Sequence, residues 1–313
     1  MTTTSTRDAA PPFVRPERHG ARGMIARHPI ISFFTLAYAL SWLAWIPYVL
    51  SRSGLGLLDF DFPVVLGTTQ LLGMLPGAFL GPIFSAFLVT SVAHGRAGLK
   101  EWLGRFRRWR LKPVWYVAVI GGVPLLLTGV GFLLAGTTHP THALPLAALA
   151  LYVPMLALQM ITTGLAEEPG WRDFALPQLQ PRFGALGANL ILGPLWGCWH
   201  LPLFLTSWGG WPHVQVTDVV EFVLTAMAIS VAMTWVFNRT NQSLPLQMIL
   251  HASINTYASL IWSSVWPTMD HSLVTRGILI AAGSAAVVAL VVTKGRLGWH
   301  GPAFGRSTTQ LEQ

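Results

Sequence analysis

The sequence predicts an all-α protein, a polytopic membrane helical bundle of about eight transmembrane helices. Three observations lead there. Of the 313 residues, 52% are hydrophobic and only 10% are charged, against roughly 25% charged in ordinary soluble domains. Apolar runs recur along the chain, and each is long enough at about 1.5 Å per residue to cross a ~30 Å hydrocarbon layer. The Lys and Arg residues gather in alternate connections between those runs rather than in one patch.

The first run, "PIISFFTLAYALSWLAWIPYVL" (Pro29 to Leu50), is 22 residues without a charge. It follows a basic, proline-containing tail and is too long for the apolar core of a cleavable leader, so it is expected to stay as a span. Further runs follow at 68–94, 114–136, 145–166, 186–206, 217–237, 245–266 and 274–293. The chain therefore divides into a basic cytoplasmic N-terminal tail (1–28), a transmembrane domain (29–293) and a cytoplasmic C-terminal tail (294–313), both tails reading as poorly ordered. Neither an internal repeat nor a low-complexity domain is present. The single cysteine, Cys198, excludes an internal disulfide and any multi-cysteine metal site.

Charge sets the expected orientation. Placing the N-terminus and every even-numbered connection on one side collects 18 of the 20 Lys and Arg residues and leaves Arg52 and Arg276 opposite. By the positive-inside tendency the 18-charge side is cytoplasmic. The net charge of +8 thus reads as topology and membrane-lipid contact, with no nucleic-acid partner expected. "RAGLKEWLGRFRRWRLKP" (96–113) sets Leu99, Trp102, Leu103, Phe106 and Trp109 at helical spacing among cations, and is expected along the inner leaflet surface.

Strongly polar side chains inside spans are costly, and those that persist face the bundle interior and mark function. Four groups stand out: Glu167, Glu168 and Arg172 in "LAEEPGWRDF"; His200 in "PLWGCWHLPLF"; His251 with Asn255 in "QMILHASINTY"; and Glu221 in "TDVVEFVLT". On a helix Glu168 and Arg172 are i,i+4 neighbours and can pair, while Glu167 points about 100° away. His251 and Asn255 share a face. Glu221 lies near an interface and reads as structural. Trp196 and Trp199 read as packing and positioning groups. The remaining set can activate a water and stabilise an oxyanion, or hold a divalent metal such as zinc through Glu167, His200 and His251.

In these residues the chain resembles the CPBP (CAAX prenyl protease / Abi, bacteriocin-processing) family of intramembrane endopeptidases. "EEPGWR" matches its Glu-Glu-x-x-x-Arg motif, "WGCWH" its aromatic-x-x-x-His motif with Trp196 where Phe is usual, and "HASIN" its His-x-x-x-Asn motif. The order is kept, each motif falls on its own predicted span, and the resemblance covers about residues 115–260. The flanking "GWRDFALPQLQ" and "WHLPLF" look like bacterial members.

The resemblance implies hydrolysis of a peptide bond in a membrane-associated, possibly lipidated, protein or peptide. It assigns Glu167 and His200 to water activation, His251 and Asn255 to the oxyanion, and Glu168 and Arg172 to support. Both a metal-dependent and a metal-free glutamate mechanism fit the set. It also implies an integral protein of a bacterial plasma membrane, with the active site opening to the cytoplasmic side. Two readings from other classes stand beside it. A proteolytically silent scaffold or immunity protein has no need of an intact motif set. A proton-coupled transporter can use the same groups as a relay, but no inverted repeat is visible in the sequence.

Overall fold

The computed structural model describes residues 20–136 and 138–301, and these are helical almost throughout, with no strand among them. Of the two expected tails, residues 1–19 and 302–313 lie outside the described residues. The described end of the first is a helix, α1 (Gly20–Arg27). It leads through His28 into α2 (Pro29–Leu50), whose proline sits at the first position, where the missing N–H leaves no bond unmade. Then come α3 (Gln70–Arg105), α4 (Pro113–Ala135), the 60-residue run α5 (Leu146–Leu205) and α6 (Val216–Arg239). α7 (Leu244–Thr256) continues helically to Val265, and α8 is His271–Thr293. α6 opens on reciprocal hydrogen bonds between Gln215 and Asp218, and α8 on the Asp270 carboxylate, which accepts from Leu273 N at 2.8 Å.

Among the described residues, six helical runs (α2 to α6 and α8) are long and apolar enough to cross a membrane. The predicted spans differ from these in two places. The runs 145–166 and 186–206 fall together in α5, and 245–266 falls in α7, where His251, Ser253 and Asn255 dilute the apolar character. α5 is not straight. It leaves helical geometry at Gly184 (φ 69°, ψ 173°), a left-handed φ that suits glycine. Trp196 Nε1 lies 2.7 Å from Glu167 Oε2, whereas 29 residues of straight helix would separate them by roughly 43 Å. The two arms of α5 therefore run back on one another.

α3 turns similarly at Gly95 (φ 62°, ψ −153°), which swings its last ten residues across one end of the bundle. There Trp102 is buried, and its indole donates to Pro169 O at 3.1 Å. The stripe predicted for 96–113 is thus divided. Trp102 turns inward with Leu99 and Phe106 half-buried, while Leu103 and Trp109 remain exposed.

That end gathers the basic connections. Arg105 Nη1 pairs with Asp173 at 2.5 Å, Arg108 donates to Asn241 O at 2.8 Å, and Asn238 donates to Gln180 and to Leu297 O. The opposite end joins Ser207 N to Ser53 O, His142 N to Val265 O, and Ser272 to Asp218. Arg276 pairs there with Glu221 at 2.7 Å, so the partner that Glu221 lacks on its own helix comes from α8.

Between the ends the core is strongly aromatic. Trp171 packs edge-on against Phe33 and Trp199, and Trp45 tilts against Trp199 with ring centroids 4.8 Å apart. Gly170 lets the Glu-Glu segment approach α3. A methyl group on Gly170 would lie 2.5 Å from Pro82 Cβ and 2.8 Å from its carbonyl carbon and oxygen. Gly170→Ala should therefore cost about 1–3 kcal/mol, as overpacking does. A melting curve in detergent checks this, and an unchanged midpoint would show that α3 yields without strain.

Candidate active site

The three motifs meet in the middle of the bundle. Leu165–Gly170 is a short α-helical stretch with widened π-helical turns on both sides, Met160–Gly164 and Trp171–Ala175. A further widened turn, Tyr257–Trp262, follows Asn255. Such insertions rotate the helix face that follows them and recur at functional sites. They carry no plain sequence signature beyond Pro and Gly nearby.

Glu167, His200, His251 and Asn255 line one cavity of about 560 Å³. Glu168 and Arg172 do not reach it; both are fully buried behind its wall. The predicted pairing is present, with Arg172 Nε 3.2 Å from Glu168 Oε2, an ion pair too bent for a hydrogen bond. The other Glu168 oxygen faces His251 Nδ1 at 2.7 Å, so this carboxylate joins the first motif to the third. Arg172 gains further partners that sequence spacing did not reveal. It donates to Ser230 Oγ at 2.7 Å, and its guanidinium stands 4.9 Å from the centre of the Trp196 ring.

Behind Arg172, Ser230 and Thr234 both donate to Asn189 Oδ1, and the Asn189 amide donates to Ala185 O. Asn189 was legible as a carboxamide within the apolar run 186–206 and belongs with the supporting residues.

Trp196 sits at the crossing of all these contacts. Its indole N–H donates to Glu167 Oε2 at 2.7 Å, and its backbone carbonyl lies 3.0 Å from His200 Nδ1. A carbonyl only accepts, so His200 carries its proton on Nδ1, and in the neutral ring Nε2 is the acceptor. The His200 ring is held on several sides by aromatic rings: Trp208 stacks on it at 5.6 Å and 13°, with Trp199 and Phe222 edge-on. Trp208 and Phe222 also line the cavity. The sequence reading missed both, since a Trp in a loop and a Phe in a span carry no signal without a neighbour to place them.

Among the described residues, no group of three or more His, Cys, Asp and Glu side chains is arranged to hold a metal ion. One nitrogen of His251 is engaged by Glu168, one of His200 by a backbone carbonyl, and one oxygen of Glu167 by an indole. These contacts occupy one atom of each residue of the proposed trio Glu167, His200 and His251 and leave the other, and no step below runs through a metal.

Val65, Leu66, Thr68, Trp208, Ser263 and His271 also line the cavity, at the end that carries Arg52 and Arg276.

Residues 149–257 match the model of the family described as type II CAAX prenyl endopeptidase Rce1-like. Over those residues the chain is similar to that family. The resemblance drawn from the three motifs is borne out by that match, and the matched residues contain all of Glu167, Glu168, Arg172, His200, His251 and Asn255. Over 140 residues the chain is 26% identical to a protein of Methanococcus maripaludis named CAAX prenyl protease 2, covering 44% of this chain and 50% of that relative. The chain thus spans about half the length of the curated relative it matches. Outside the matched residues, α2, α3, α8, the helical continuation of α7 and the loop before α3 complete the cavity wall.

Proposed function

We propose that this integral membrane protein is an intramembrane endopeptidase that hydrolyses a peptide bond in a membrane-associated polypeptide. The observation that carries the reading is the division of labour within one site. Glu167, His200, His251 and Asn255 face a common cavity, while Glu168 and Arg172 brace it from a fully buried position. The name of the Methanococcus maripaludis relative, a CAAX prenyl protease, supports the same class of activity.

In this reading a water sits between Glu167 and the unprotonated Nε2 of His200. Glu167 takes its proton as the water oxygen attacks the scissile carbonyl carbon. The oxygen that becomes negative receives hydrogen bonds from the Asn255 amide and from Nε2–H of a doubly protonated His251, whose Nδ1–H donates to Glu168. As the C–N bond breaks, Glu167 returns the proton to the departing nitrogen. Each step uses a side chain already on the cavity wall.

The test compares membrane peptides from cells carrying the wild type and His200→Gln. New N-termini produced by the wild type should disappear in the variant. Identical peptide sets in the two strains would favour a silent scaffold, and uptake driven by a proton gradient in liposomes would favour a carrier.

A further inference from the structure

A second cavity, of about 440 Å³, lies at the basic end and shares no lining residue with the one described above. Three parts of the chain meet there: the connection into α4, the end of α6 and the residues after α8. Arg110 and Lys112 come from the first, Arg239 from the second and His300 from the third. No Asp or Glu lines this hollow. The described carboxylates of that end, Glu101 and Asp173, both pair with Arg105 instead. Three exposed cations are thus held around one space with no counter-charge on its wall. Their mutual repulsion is relieved when an anion enters. Arg239 is also fixed in place, because Gly298 passes so close to it that a methyl group there would lie 2.8 Å from Arg239 Cδ.

The aromatic residues nearby set the depth of the hollow. Lys112 immediately precedes α4, and Trp115, also on the wall, follows one turn deeper. Arg239 closes α6, and Trp235 lies one turn deeper on that helix. The two indoles meet edge-on, with ring centroids 5.6 Å apart. Tryptophan at helix ends, just inside a level of cations, marks the boundary between lipid headgroups and hydrocarbon. On the same stretch of α4, Val114 and Val117 are exposed, as residues facing acyl chains are.

We infer that this hollow binds the headgroup of an anionic phospholipid, with its phosphodiester among Arg110, Lys112 and Arg239 and its acyl chains along α4. A choline or ethanolamine headgroup would bring an ammonium against three cations with no carboxylate to receive it. A glycerol headgroup brings no such charge, and its hydroxyls can bond the Asn241 amide on the wall. Free phosphate could use the cations but has no part to set against the indole pair. One bound lipid would tie α4, α6 and the residues after α8 together. The inference goes beyond the protease reading and does not depend on it.

Native mass spectrometry of the full chain in detergent tests it, with phosphatidylglycerol and phosphatidylcholine of the same acyl chains as probes. The wild type should retain phosphatidylglycerol in preference to phosphatidylcholine. A cation near an anionic lipid contributes roughly fivefold in binding. The triple variant Arg110→Gln, Lys112→Gln, Arg239→Gln should therefore bind phosphatidylglycerol about a hundredfold more weakly. A control triple, Arg96→Gln, Lys100→Gln, Arg107→Gln, removes the same charge from a separate groove on the turned end of α3. It should stay within a few-fold of the wild type. All six side chains are exposed, so both triples should keep the wild-type melting temperature in lipid-free detergent.

Equal retention of the two lipids by the wild type would overturn the inference, and that arm needs no variant. Equal weakening in the two triples would overturn it as well, by showing diffuse surface charge in place of a site. Displacement of phosphatidylglycerol by an equal concentration of inorganic phosphate would show a site for free anions and overturn the lipid assignment.

Discussion

Glu167→Gln should abolish peptide cleavage while leaving the melting temperature in detergent nearly unchanged. The carboxylate has no ion-pair partner among the described residues. Its Oε2 accepts one hydrogen bond, from the Trp196 indole, and a glutamine oxygen can accept the same bond. Packing and polar satisfaction therefore survive the change. What does not survive is the ability to take a proton from water, because an amide oxygen is a far weaker base. General-base contributions run at about 100- to 10,000-fold in rate, so the variant should fall by at least that range. The measurement is a cleavage rate and a melting curve on the same preparation. A Glu167→Gln enzyme within a few-fold of the wild type would remove Glu167 from the role of base.

Glu168→Gln should behave in the opposite way, with a large loss of stability and a smaller loss of rate. Glu168 is fully buried and holds two groups at once, Arg172 through Oε2 and His251 through Oε1. Neutralising it strands the Arg172 charge at a fully buried position. Removing one partner of a buried pair typically costs about 3–5 kcal/mol. The glutamine oxygen can still accept from His251 Nδ1, so the ring keeps its orientation and cleavage persists.

The double change Glu168→Gln with Arg172→Met sharpens the expectation. It removes both charges, and replacing a whole buried pair by neutral groups is often close to neutral. Its melting temperature should exceed that of Glu168→Gln alone. A strictly additive loss would show that the two side chains do not act as a pair.

The apolar runs that build the bundle were plain in the sequence because lipid tolerates so few alternatives to a long uncharged helix. The four cavity residues were legible for the same reason, since Glu167, His200, His251 and Asn255 are costly in such runs. The i,i+4 partnership of Glu168 with Arg172 followed from helix geometry alone. The Glu168 contact with His251 did not, because it joins residues 83 apart and depends on how α5 and α7 pack.

The fold-back at Gly184 and the turn at Gly95 were hidden as well. A glycine in an apolar run is compatible with a straight helix, and only packing decides otherwise. Those two turns decide which elements come together around the cavity.

Trp196 has a consequence for anyone who would transplant this chemistry. The residue stands where phenylalanine is usual in the resembling motif, and by shape the exchange looks harmless. Yet one indole group bonds Glu167 through its nitrogen, lies under the Arg172 guanidinium and meets His251 edge-on at 5.3 Å, while its own carbonyl sets the His200 tautomer. The four motif residues that Trp196 touches therefore share a single gauge, and their spacing can be copied faithfully only if that gauge is copied with them. A graft of Glu167, His200, His251 and Asn255 onto another scaffold would carry over the reacting groups and leave behind the part that measures the distances between them.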